Sequence, residues 1–103
     1  MRETIVLVLF DLPVRTKRMV RNATRFRNGL KKLGYIMLQK SVYIKLISNG
    51  STFRTEQKYV RQFTPGKGSV LIIPIPLRHF IKIKSLAGEP FPLETLTSSI
   101  INL

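Results

Sequence analysis

The apolar positions of this chain change period as they run, and the changes mark out its elements. Thr4 to Phe10 is an unbroken apolar run rich in β-branched residues, which predicts a strand buried on both faces. Pro13 blocks its continuation. From Arg15 to Leu33 the period becomes helical. Met19, Ala23, Phe26, Leu30 and Leu33 recur at steps of four, three, four and three and form one stripe, with Gly34 as the C-terminal stop. Arg18, Arg21, Arg25 and Lys32 fall on the opposite side. Tyr35 to Ile47 is β-rich but long for one strand, so a hairpin or bend is expected near Gln39-Lys40.

Ser48-Asn49-Gly50-Ser51 is a turn cluster, and a second helix is expected from Thr52 to Phe63, capped by Ser51 or Thr52. Its inner residues would be Phe53, Tyr59, Val60 and Phe63. Thr64-Pro65-Gly66-Lys67-Gly68 breaks the chain before a further strand, Ser69 to Ile75. Pro74 and Pro76 cannot donate to a ladder, so that strand belongs at an edge or leaves the sheet. Leu77 to Phe80 suggests a helical turn, and the alternation from Ile81 to Ala87 allows a fifth strand. The order β, α, β, β, α, β predicts an α+β protein: a ferredoxin-like antiparallel sheet with both helices on one face, plus an extra C-terminal strand. Residues 1–88 form this domain. Residues 89–103 form a tail too apolar to stand free in water, expected to dock on a partner.

Charge narrows the class of partner. The chain has 103 residues, 18 Lys+Arg against 5 Asp+Glu, and a formal net charge of +13. Such a surface attracts phosphate polymers, so nucleic acid is the expected partner, ahead of an anionic membrane surface or an acidic protein. The first helix alone holds Arg15, Lys17, Arg18, Arg21, Arg25, Arg27, Lys31 and Lys32 and no acid. Arginine forks fit phosphate oxygens at any relevant pH, and such contacts position a duplex without reading its sequence. Arg15, Arg18, Arg21, Arg25 and Lys32 are the candidate nucleic-acid-binding residues. The absence of cysteine excludes disulfides and thiolate metal sites and fits a reducing cytoplasm. The apolar run ending at Phe10 is too short to span a membrane.

Asp11 is the only aspartate, and it stands where the first strand stops. A strand-end carboxylate can hold Mg²⁺ through one oxygen while the ion keeps waters and takes a phosphate oxygen. It can equally make only an Asx turn before Pro13. One carboxylate is a poor cage, and Glu3, Glu56, Glu89 and Glu94 are not its near neighbours in sequence. A homodimer with its two-fold axis through the site would bring two copies of Asp11 together. Thr64 to Ser69 has a superficial likeness to a phosphate loop but lacks the Walker spacing, and reads as a helix-to-strand turn. His79, the only histidine, has no companion ligand and reads as a packing or surface residue. Tyr35, Tyr43, Phe53 and Tyr59 read as core more than as a base-stacking platform.

These residues resemble a known family. Val8-Leu9-Phe10-Asp11-Leu12-Pro13, the basic helix with Phe26-Arg27, Gly34-Tyr35 and Gln39-Lys40-Ser41-Val42-Tyr43 are similar to CRISPR-associated protein two, in a form closest to type II systems. The likeness covers roughly residues 4 to 88. It implies a ferredoxin-like homodimer whose C-terminal strand pairs with the other subunit's sheet. It implies a role in spacer acquisition: binding duplex DNA together with the CRISPR integrase, protein one. It also implies Mg²⁺-dependent endonuclease activity on RNA or DNA, with Asp11 matching the family's metal-ligand aspartate and Arg18 a helix arginine near the site. Two departures, Ile44-Lys45 after Tyr43 and the basic segment Ile75 to Lys84, favour a clamp without catalysis. A third reading is a ferredoxin-like RNA-binding or toxin-like nuclease unrelated to CRISPR.

Overall fold

The computed structural model describes residues 3–48 and 52–89. Four strands, β1 (Thr4–Asp11), β2 (Ile36–Gln39), β3 (Val42–Ile47) and β4 (Ser69–Pro76), form one antiparallel sheet in the order β2-β3-β1-β4. Helix α1 (Lys17–Lys32) links β1 to β2, α2 (Phe53–Arg61) links β3 to β4, and a single turn, α3 (Leu77–Phe80), follows β4. This is the ferredoxin-like arrangement expected from the period changes.

Each boundary has a local cause. Thr16 caps α1, its hydroxyl accepting the Met19 amide at 3.1 Å. The helix therefore starts at Lys17, and Arg15 lies in the turn ahead of it rather than in its first turn. Thr52, not Ser51, caps α2 by accepting from the Thr55 amide. The hairpin falls at Lys40-Ser41, with a bulge between Met37 and Gln39. β4 is an edge strand paired only with β1, so Pro74 and Pro76 break no inner ladder.

The two faces of the sheet differ. Val6, Val8 and Phe10 of β1 point toward the helices and join Tyr43, Phe26, Leu30 and Val60 in the main core. Phe10 meets Phe26 edge to face at 5.0 Å. Phe63 closes over α1 at Gly29, where a Cβ would lie 2.7 Å from its ring. The opposite face carries a smaller cluster: Ile5, Ile44 and Phe80, with Leu7, Leu46 and Ile75 packed against it. Here α3 is the cover, tied down by the Leu77 amide donating to the Glu3 carbonyl.

Two expectations fail. Tyr59 is exposed, and the inner position of α2 belongs to Glu56, which is buried. Steps of three, four and three from Phe53 lead through Glu56 and Val60 to Phe63, so Tyr59 sits one residue off the stripe. The carboxylate survives burial because it has partners. Lys45 Nζ reaches its two oxygens at 3.1 and 3.2 Å, and the Tyr35 hydroxyl donates to Oε1 at 3.0 Å. Burial, reinforced by the Glu56 charge, pushes the Tyr35 hydroxyl far above its ordinary range, so it stays a donor. The second failure is the fifth strand. Residues 81–87 form turns and bends, all exposed. The sheet's open edges, β2 and β4, stay unpaired by this segment, because the α3 turn follows β4 directly. The tail expected to dock lies, after Glu89, outside the described residues.

Candidate nucleic-acid interface

Asp11 closes β1, opposite Ser69 of β4, and is exposed. Side chains alternate along a strand. Phe10 enters the helix-side core, so Asp11 falls in the row of Ile5, Leu7 and Leu9 on the face without the two long helices. Among the described residues, that face is covered only at its Thr4 end, by α3. Toward Asp11 it is bare and apolar: Leu9 pairs with Leu71 and Leu7 with Ile73, and these two β4 side chains are 63% and 47% exposed. Among the described residues no three His, Asp or Glu side chains gather as a metal cage. Glu56 is occupied in the core on the other side. β1 places one carboxylate, Asp11, at this end of the face.

The candidate cations separate into two places. Arg21, Arg25 and Lys32 line one shallow groove of about 530 Å³ on the outer face of α1, with Val20 and Phe63 as its apolar part. The three span about 16 Å along the helix at 1.5 Å per residue. Nothing acidic interrupts them, since Lys17 to Lys32 contains no Asp or Glu. Arg18 lies elsewhere, on the wall of a second cleft. Arg15 is exposed in the turn before α1 and lines neither. Arg27 is half-buried, its guanidinium 5.7 Å from the Phe10 ring centre, so it serves packing.

The second cleft shows what the sequence reading missed. It lies between the β1–α1 turn and the α2–β4 loop, and it brings Lys67 of that loop and Arg18 of α1 into one lining. Lys67 belongs to the segment read as a plain turn. It is a turn, but Gly68 folds it back against the end of β1: a Cβ there would stand 2.6 Å from the Asp11 carbonyl oxygen, and its φ is +93°. The Gly-Lys-Gly triplet was a visible hint of a tight loop. Which side chain it would face depends on the sheet order, which no local pattern carries. His79 is exposed on α3, and Tyr35 and Tyr43 are buried core residues, as expected. No helix among the described residues is long and apolar enough to cross a membrane.

Known proteins are similar to this chain in sequence and in fold. The family model for CRISPR associated protein Cas2 matches residues 4–83. A Campylobacter jejuni protein named CRISPR-associated endoribonuclease Cas2 is 37% identical over 83 residues, 81% of this chain and 58% of that protein. The match thus spans less than two thirds of that relative's length. A Treponema denticola protein of the same name is 37% identical over 84 residues, 82% of this chain and 83% of the relative. A crystal structure of Cas2 superposes with a TM-score of 0.58 over 85% of this chain and 90% of the other, at 22% identity, a likeness of fold.

Proposed function

Since the chain belongs to the CRISPR-associated protein Cas2 family, we propose that it acts as a homodimer in CRISPR adaptation, holding duplex DNA alongside the CRISPR integrase, protein one, and cleaving nucleic-acid strands where two Asp11 side chains meet. The observation that carries this reading is the place of Asp11 in the row of the bare sheet face. An apolar face of this kind is rare on a soluble monomer. A second copy laid on it about a two-fold axis covers Leu71 and Ile73 of both chains and brings the row ends together. The exposed Ile81, Ile83 and Leu86 lie on a segment without a strand partner among the described residues and give the second copy a further apolar surface to cover.

The donor set of the pair, not of the single chain, fits Mg²⁺, which takes one or two carboxylates and keeps several waters. The two Asp11 carboxylates would hold it. When bound, it supplies charge stabilisation and an activated water for phosphodiester hydrolysis. The chain's own part is to seat the strand. Arg21, Arg25 and Lys32 fix the phosphates from α1, and the end of β1 presents each carboxylate on the helix-free face. Cleavage of RNA follows the name its relatives carry, and the grip on duplex DNA follows the cationic row. The clamp without catalysis is the second reading, favoured by eighteen basic residues beside one exposed aspartate. Both readings need the dimer.

Leu71→Glu combined with Ile73→Glu tests the pairing. Each side chain contributes roughly 1.5–3 kcal/mol when fully buried, so four changed positions per dimer raise its dissociation constant by about 10³-fold or more. Sedimentation should show monomers with unchanged circular dichroism, because both residues are exposed in the single chain. A variant that stays dimeric, or a parent that sediments as a monomer, contradicts the proposal.

A further inference from the structure

The cleft that joins Arg18 to Lys67 differs in kind from the groove on α1. It encloses about 400 Å³, a volume that one small ligand can fill. Its floor is apolar, made by Leu12, Pro13, Met19 and Ala23. Its rim is polar and cationic: Arg18 and Asn22 come from α1, and Lys67 from the α2–β4 loop. None of its lining residues is acidic. Both walls are fixed before any ligand arrives. The Thr16 cap holds the first turn of α1, and Gly68, packed on Asp11, Leu12 and Pro13, holds the loop.

A cavity with an apolar floor between two cations suits a ligand that is flat and weakly polar in its middle and anionic at its edge. A nucleotide has that form. A base stacked inside a duplex cannot reach such a floor, whereas an unpaired one can. We propose that this cleft takes one unpaired, phosphate-bearing nucleotide, its phosphate between Arg18 and Lys67 and its base on the floor beside Met19. This rests on the nucleic-acid reading above and adds a strand-end site separate from the α1 track.

The test uses the full chain, the exposed variant Lys67→Ala, and two DNA probes of equal duplex length, one blunt and one with a short single-stranded tail. The parent protein should bind the tailed probe at least about tenfold more tightly, the scale of one stacked base alone. Lys67→Ala should erase that preference while blunt-duplex affinity stays within about twofold, and Lys67→Arg should restore it. A second arm follows the methionine methyl signals by NMR. Uridine monophosphate should shift Met19 and leave Met37, on the far edge strand, in place; inorganic phosphate at the same concentration should not move Met19. Equal loss on both probes, or no tail preference in the parent, overturns the proposal. If the parent binds neither probe, the duplex reading fails, and the NMR arm alone decides the cleft. A Met19 signal indifferent to the nucleotide, or shifted equally in Lys67→Ala, then overturns it.

Discussion

Asp11→Ala is expected to lower metal-dependent strand cleavage by about 10³-fold or more while leaving duplex affinity within about twofold. The size follows from what the carboxylate would hold. A bound divalent ion contributes several kcal/mol of transition-state stabilisation, and each 1.4 kcal/mol is about tenfold in rate. The separation of rate from affinity follows from geometry. Asp11 closes a row on the helix-free sheet face, whereas Arg21, Arg25 and Lys32 line the outer groove of α1. Without Mg²⁺, removing an anion from beside a polyanion does not weaken its grip electrostatically. Cleavage measured on labelled RNA and DNA, with and without Mg²⁺, checks the rate, and anisotropy on uncut duplex checks the affinity. A fully active alanine variant leaves the clamp as the surviving reading.

Duplex binding is expected to fall by about 10³-fold between 50 and 200 mM salt. Three cations per subunit, doubled across a dimer, contact about six phosphates, and each adds about 0.9 to the slope of log affinity against log salt. Changing Arg21, Arg25 and Lys32 together to Glu should remove most of that slope and most of the affinity at low salt. All three are exposed, so the fold should survive. Retained affinity in the triple variant would move the contact face off α1, and a flat salt response in the parent would remove the electrostatic grip altogether. Arg27→Ala is the informative control, because its guanidinium sits over Phe10 and its loss touches packing more than binding.

Much of this architecture was legible because the periods were clean. The stripe from Met19 to Leu33 could be only a helix face, and the prolines of β4 could tolerate only an edge. Two things were not legible, for one reason. Glu56 and Lys67 are both polar residues whose roles are set by neighbours distant in sequence. Glu56 reads as a solvated helix residue until β3 brings Lys45, and the segment after α1 brings Tyr35, against it. Lys67 reads as a turn residue until the sheet order lays its loop against the β1–α1 turn. The fifth strand failed in the opposite direction: Ile81 to Ala87 has a strand's alternation, but it pairs with neither open edge of the sheet, β2 or β4. Asp11 was identified from its isolation in sequence, but its significance comes from the face it occupies, which the pleat of β1 determines.

The pairing of two subunits across that face can be measured at Asp11 itself. The chain has no cysteine, so Asp11→Cys introduces a single thiol without competitors. Treated with a short bis-maleimide in dilute solution, this variant should give a covalent dimer on a denaturing gel, and the band should vanish when Leu71→Glu and Ile73→Glu are added. A protein that remains uncrosslinked while sedimenting as a dimer would place the two aspartates far apart, and one that sediments as a monomer would leave each without its twin; either result contradicts a shared site.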